Sequence, residues 1–283
     1  MKYHAPQTLS EAVSLVATAE QPKILAGGTD LLVQMRSGNQ QPGTLIDIKH
    51  IPETRAITLN GEELVVGAAV TGAELNEHEA RLLWPGVAEA FDLIGSTQIQ
   101  GRASLGGNLC NASPAADTVP ALIAAGAVVR IIGPNGEREL PVEDVSAGPG
   151  LTHLQAGELV VSFRFPIRNP RAGDAYLRFI PRTEMDIAVV GVGINLSLDQ
   201  NGVCNFARVG LGAVAPTALL VESAAEALVG TTIDDAALTR LANAVSDACR
   251  PINDKRGTIE FRTQVAGVLA KRTALIALER AKA

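Results

Sequence analysis

Residues 24–32 read Ile24-Leu25-Ala26-Gly27-Gly28-Thr29-Asp30-Leu31-Leu32. A short apolar run delivers the chain to two glycines, and a helix-compatible stretch follows at once. Such a bend bares backbone N–H groups beside a helix N-terminus, and glycine lets an anion approach without a Cβ in the way. Hydrogen bonds to a charged group are worth about 1.5–3 kcal/mol each, so a few such amides hold a diphosphate without a lysine. The spacing is neither Gly-x-Gly-x-x-Gly nor a Walker loop. Alone, the segment reads more simply as a plain strand-to-helix turn.

A second segment changes that balance. Residues 103–117 read Ala103-Ser104-Leu105-Gly106-Gly107-Asn108-Leu109-Cys110-Asn111-Ala112-Ser113-Pro114-Ala115-Ala116-Asp117. This is another double-glycine turn among apolar positions, with Ser104 and Asn108 adding side-chain donors. Asp117 accepts hydrogen bonds from hydroxyls or a ring N–H, or else caps a helix ahead of Pro120. Two such turns in one fold favour a single extended, phosphate-bearing ligand.

Outward from these segments, the first 55 residues alternate helix and strand. Thr8 with Glu11 forms a capping box ahead of an apolar stripe (Ala12, Val13, Val16, Ala17), and residues 23–26 and 44–48 are short strands of a small parallel sheet. Residues 56–166 change register. Asn60-Gly61 and Pro134-Asn135-Gly136 mark two hairpins, Thr71 with Glu74 forms a second capping box, and Val87, Phe91 and Ile94 line a helix that Gly95 ends. Residues 166–173 are the linker candidate. Beyond it, 187–198 and 203–211 are strands, and helices are expected over 218–229, 234–249 and 259–281. The organisation is α+β: residues 1–170 as one domain (1–55 a small α/β subdomain, 56–170 an antiparallel one) and 171–283 as a C-terminal α+β domain.

Composition narrows the function. The 283 residues carry a net charge of −6 and only 3% aromatics, which argues against a basic, base-stacking nucleic-acid surface. No window has the length and apolarity of a membrane span, and no secretory h-region follows Met1, so a cytoplasmic chain is expected. Three cysteines, Cys110, Cys204 and Cys249, are too few and too scattered for a four-cysteine iron–sulfur site or a disulfide framework. No metal site and no Ser-His-Asp-like catalytic grouping is expected.

The segments Ala26-Gly27-Gly28-Thr29-Asp30-Leu31-Leu32 and Ser104-Leu105-Gly106-Gly107-Asn108 through Asp117 resemble the FAD-binding medium subunits of molybdenum hydroxylases, the carbon monoxide dehydrogenase and xanthine dehydrogenase family. The resemblance runs over essentially the whole chain, through Gln98-Ile99, Glu158-Leu159-Val160, residues 182–188 and Arg256 with Phe261-Arg262. It implies the vanillyl-alcohol-oxidase (PCMH)-type FAD fold with a C-terminal α+β domain. By position, Ile24, Leu25, Ala26, Gly27, Gly28, Thr29, Asp30 and Leu31 would wrap the FAD pyrophosphate. Ser104, Gly106, Gly107 and Asn108 would complete the cradle, Asp117 would contact the cofactor and Val160 would lie in the flavin pocket. Ile94 stands where xanthine dehydrogenase-like members carry an aromatic residue, and Arg178 where they carry lysine. Arginine keeps the charge but does not readily titrate. The family's Arg-Asn after Gln-Ile is Gln100-Gly101 here.

His4, His50, His78 and His153 lie outside both turns and position 29 is threonine, so non-covalent FAD is expected. Cys110 reads as a small buried hydrophobe. Arg171, Arg178 and Arg182 pair with acidic neighbours or line the flavin. The function implied by the resemblance is electron transfer within a larger enzyme. A large molybdopterin-binding subunit would oxidise substrate, and a small [2Fe-2S] subunit would pass electrons to FAD held here, in a dimer of heterotrimers. Two alternatives stay open: a self-sufficient FAD oxidoreductase of the same fold, and a cofactor-free interaction subunit.

Overall fold

In the computed structural model, which describes residues 1–60, 63–183 and 185–283, the chain opens with β1 (Lys2–His4), α1 (Leu9–Thr18), β2 (Pro22–Leu25), α2 (Leu31–Arg36) and β3 (Thr44–Asp47). The strands form a parallel sheet in the order β1-β3-β2, as the alternation of elements predicts. β1 is an addition to the expectation: its residues pair with Thr44, Leu45 and Ile46 far along the chain. Thr8 accepts from the Glu11 amide at 3.2 Å. The Glu11 carboxylate, however, accepts from the Gln7 amide and not from Thr8, so this box does not close reciprocally.

The second region contains α3 (Pro52–Arg55), β4 (Ile57–Asn60), β5 (Glu63–Gly67), α4 (Gly72–Glu77), α5 (Pro85–Asp92), α6 (Thr97–Gln100), α7 (Leu105–Cys110), α8 (Thr118–Ala125), β6 (Val128–Gly133), β7 (Gly136–Pro141), β8 (Ser146–Gly148), β9 (Leu151–Thr152) and β10 (Leu159–Phe165). Five of its strands make an antiparallel sheet in the order β4-β5-β10-β6-β7. The turn at Asn60-Gly61 lies partly outside the described residues, but its flanks pair antiparallel as expected. The Thr71–Glu74 box closes reciprocally. One sheet face packs Val66, Val129, Ile131 and Phe163 against Phe91, Leu105 and Leu122 of the covering helices. The other packs Leu159 and Val161 against Leu9 and Ala12 of α1.

The third region contains β11 (Ala172–Phe179), β12 (Val190–Leu198), β13 (Cys204–Gly212), β14 (Leu219–Leu220), α9 (Glu222–Glu226), α10 (Asp235–Ala248) and α11 (Ile259–Lys282), with sheet order β11-β12-β13-β14. The helix expected over 218–229 is corrected: Leu219 and Leu220 extend the sheet by pairing with Leu211 and Gly210, and only a short helix follows. Edge pairing here outweighs the helix propensity of the alanine-rich stretch. The linker candidate is pinned. Arg168 ion-pairs with Asp174 at 2.8 Å, donates to the Leu83 carbonyl at 2.7 Å and lies over the Trp84 ring.

Alternation along β12 explains how the two halves meet. Val190, Val192, Ile194, Leu196 and Leu198 join the core beneath α10 and α11. The opposite face carries Gly193, and β13 adds Gly210 and Gly212; these strands receive α8, all eight residues of which are buried. A Cβ on Gly193 would lie 2.5 Å from the Pro120 carbonyl oxygen, and one on Gly210 would overlap that same oxygen. Glycine in a strand here permits close backbone approach. Gly210→Ala is therefore expected to lower unfolding free energy by roughly 1–3 kcal/mol in urea denaturation. Gly148→Ala, whose Cβ meets nothing within 4 Å, should stay within about 0.5 kcal/mol of the parent. Equal effects would refute close packing of α8 on the sheet.

Candidate functional site

β2 ends at Leu25, at the carboxyl edge of the parallel sheet, and α2 begins at Leu31. Gly27 is buried, and a Cβ there would overlap the carbonyl oxygen of Arg102. Gly28 has φ +77°, a left-handed conformation open to glycine, and its Cβ direction points at Leu25 and Leu32. Among the described residues, the amides of Gly27, Gly28, Thr29, Asp30 and Leu31 donate to no protein acceptor. The first amide of the bend region to be used is that of Leu32, which bonds the Gly28 carbonyl at 3.1 Å. Asp30 stands at the N-cap of α2 but its side chain makes no capping bond. Five consecutive free N–H groups on a glycine bend are a donor set suited to a phosphate or diphosphate.

Side chains that the sequence did not single out fix this bend. Lys49 Nζ donates to the Ala26 carbonyl at 2.8 Å and to Asp47 Oδ1 at 2.7 Å, while the Tyr3 hydroxyl donates to Asp47 Oδ2 at 2.7 Å. Asp47 ends β3 beside the end of β2, where parallel sheets place ligand crevices, and that position was the available signal. Lys49, Arg55 and Arg102 also line an adjoining groove with Thr71 and Glu74. The Gln34 amide nitrogen donates to Asn111 Oδ1 at 2.9 Å. The first glycine segment thus packs directly on the second.

The second segment is not a turn. Gly106 and Gly107 lie in the short helix α7, which Ser104 caps by accepting from the Gly107 amide at 3.2 Å. The Gly106 amide donates to the Ala68 carbonyl at 3.0 Å and that of Asn108 to the Ser104 carbonyl at 2.9 Å. Tertiary packing here overrides the turn preference of paired glycines. These amides are spent inside the fold, so the free donors belong to residues 27–31. Gly107 still keeps an open flank: a Cβ would meet only the Ser104 hydroxyl, at 3.1 Å. Asn108 Oδ1 accepts from the Thr118 amide and hydroxyl at 3.2 and 2.6 Å, tying α7 to the start of α8.

Asp117 immediately precedes Thr118 yet makes no capping bond, which removes the capping alternative. Its carboxylate turns to β11 instead. The Tyr176 hydroxyl donates to Oδ1 at 3.1 Å, and Arg178 Nη1 donates to Oδ2 at 2.8 Å. Burial pushes the Asp117 carboxyl up to about 6, against the opposing pull of Arg178 and Tyr176. Burial likewise pushes Asp174 up to about 6, against Arg168 and the Gly86 amide. Asp117 is thus held between the start of α8, which Asn108 ties to α7, and strand β11, while the free amides lie on the β2–α2 bend. Ile94 is half-buried against the core between α5 and α6, and Val160 is buried on β10. Arg182 pairs with Asp186 at 3.0 Å, as expected of the arginines in this stretch. Cys110 is half-buried against the core, its thiol pushed up to about 12 by burial.

Residues 1–168 match the family described as FAD binding domain in molybdopterin dehydrogenase, and residues 175–277 match the CO dehydrogenase flavoprotein C-terminal domain. The chain belongs to this family. It is an FAD-binding oxidoreductase subunit of the molybdenum hydroxylase class, α+β in fold. The carbon monoxide dehydrogenase medium chain of Hydrogenophaga pseudoflava is 35% identical over 275 residues, covering 96% of this chain and 94% of that one. The xanthine dehydrogenase FAD-binding subunit of Escherichia coli O157:H7 is 31% identical over 273 residues, covering 95% and 93%. The solved carbon monoxide dehydrogenase of Hydrogenophaga pseudoflava superposes with TM-score 0.94 at 34% identity, covering 99% of this chain and 98% of that chain. Quinoline 2-oxidoreductase from Pseudomonas putida 86 gives 0.92 at 27% identity, covering 100% and 98%.

The raised carboxyls make a signed prediction. Asp117 and Asp174 hold protons more tightly folded (about 6) than at the ordinary 3.8. The stability their protonated forms contribute is full below about pH 4 and lost as pH rises through about 6. In urea unfolding, the stability of the parent relative to Asp117→Asn should fall between pH 4 and 6.5, by up to a few kcal/mol. A relative stability that rises over that window would mean that Arg178 outweighs desolvation.

Proposed function

We propose that this chain is the FAD-carrying electron-transfer subunit of a molybdenum-containing dehydrogenase, taking electrons from iron–sulfur clusters of a partner and passing them to an external acceptor. The observation that carries the reading is the run of five unpartnered amides, Gly27 to Leu31, on a bend packed against the second glycine segment. Those amides fit the diphosphate of FAD; Lys49 and Asp47 hold the bend in shape. Ile24, Leu25 and Ala26 deliver the bend, and Ser104, Gly106, Gly107 and Asn108 form the wall beside it. In this reading Asp117 and Arg178 contact the cofactor, and Ile94 and Val160 stand beside its flavin.

Bound FAD supplies a carrier that accepts electrons singly and releases them in pairs. The protein's contribution is position, charge and exclusion of water. Threonine at position 29, no histidine in either segment, and a Cys110 packed against the core with its thiol pushed up to about 12 by burial support non-covalent binding. A large molybdopterin-binding subunit and a small [2Fe-2S] subunit are the partners, since three scattered cysteines cannot supply a cluster. The family relatives named as medium chain and FAD-binding subunit support that division of labour. A dimer of heterotrimers, a cytoplasmic setting and a domain boundary near residues 170–171 belong to the same proposal.

The purified full chain is expected to take up one FAD, releasable by acid, and to show no substrate turnover until the two partner subunits are added. Turnover alone with a reductant and substrate would favour the self-sufficient oxidoreductase, and a folded chain that refuses FAD would favour the interaction subunit. Gly28→Val puts a β-branched residue at φ +77° and should reshape the bend. Flavin occupancy should fall at least about tenfold with circular dichroism unchanged. Full occupancy would move the phosphate loop elsewhere.

A further inference from the structure

Tyr176 and Arg178 are two apart on β11 and so share one face of the strand. Both reach the same carboxylate, one donor to each oxygen of Asp117. Tyr176 is only 2% exposed, and room for its hydroxyl exists because residue 191 is glycine: a Cβ there would sit 2.5 Å from the Tyr176 oxygen. Gly191 is also the register partner of Arg178 on β12. The Arg178 side chain is 5% exposed, yet among the described residues its Nε has no acceptor. A buried charged N–H without an acceptor is costly, so it marks a place where a ligand acceptor belongs.

We infer that Tyr176 is a positioning residue for the flavin site: with its hydroxyl on Asp117 it locks the carboxylate that in turn aims the Nε–H of Arg178 at an acceptor atom of FAD. This rests on the proposed FAD-binding function and adds to it a residue outside both glycine segments. Among the described residues no hydrogen bond joins Asp117, Tyr176 or Arg178 to residues 27–31, and the inferred acceptor belongs to the flavin half of FAD and not to its ADP half. ADP, which carries the diphosphate without the flavin ring, therefore serves as an internal control.

The full chain, stripped of flavin, is titrated with FAD and separately with ADP. Tyr176→Phe should raise the FAD dissociation constant roughly three- to tenfold and shift the visible absorption bands of the bound flavin, with the ADP constant unchanged. Arg178→Gln should weaken FAD more, and the double variant should be no weaker than Arg178→Gln alone, because the tyrosine acts through the arginine. Unchanged FAD affinity in Tyr176→Phe, equal losses for FAD and ADP, or additive losses in the double variant would each overturn the inference. Should Tyr176→Phe fail to fold, Gly191→Ala displaces the same hydroxyl and must reproduce the FAD-selective loss. A parent chain that binds ADP but not FAD would overturn the proposed function itself, which separates the two failures.

Discussion

The structure depends on a close approach between two backbones. Gly27 sits against the Arg102 carbonyl with no room for a side chain, and this contact seats the β2–α2 bend on the segment that leads into α7. Held there, the bend leaves five successive N–H groups without a protein acceptor among the described residues. Successive unpartnered backbone N–H groups on a partly exposed glycine bend are a donor set suited to an anion. Lys49, itself bonded to Asp47, ties down the Ala26 carbonyl next to the bend and contributes positive charge nearby.

A second close approach joins the two halves of the protein. Pro120 on α8 lies on Gly193 and Gly210, so the first residues of α8 reach the C-terminal sheet at backbone distance. That brings Asp117 to Tyr176 and Arg178, which are 59 and 61 residues further along the chain. The linker adds its own brace through Arg168, Asp174 and Trp84. The buried carboxylates Asp117 and Asp174 therefore sit on the seam between the two halves of the protein.

Much of this was legible where the signal is local. The Thr71–Glu74 box, the hairpin flanks around residues 60 and 134, and the starts of the last two helices near residues 234 and 259 follow from residues within a few positions of one another. What was not legible depends on distant partners. β1 exists because Lys2, Tyr3 and His4 find the edge of β3, and Leu219–Leu220 is a strand because β13 offers an edge. Paired glycines at 106 and 107 suggested a turn, but the Ser104 cap and the Ala68 carbonyl make that segment helical. In the proposed site, the strand–Gly-Gly–helix order of residues 24–31 could be read from the sequence. Tyr176, Lys49 and Arg102 could not, because each acts on a group more than twenty residues away.

Hydrogen exchange at the peptide spanning residues 26–32 tests the central claim most directly. In the flavin-free chain, the amides of Gly27 to Leu31 should exchange rapidly, and adding either FAD or ADP should slow them by orders of magnitude. Protection that appears only in other segments when FAD binds, with these five amides exchanging as before, would contradict the account.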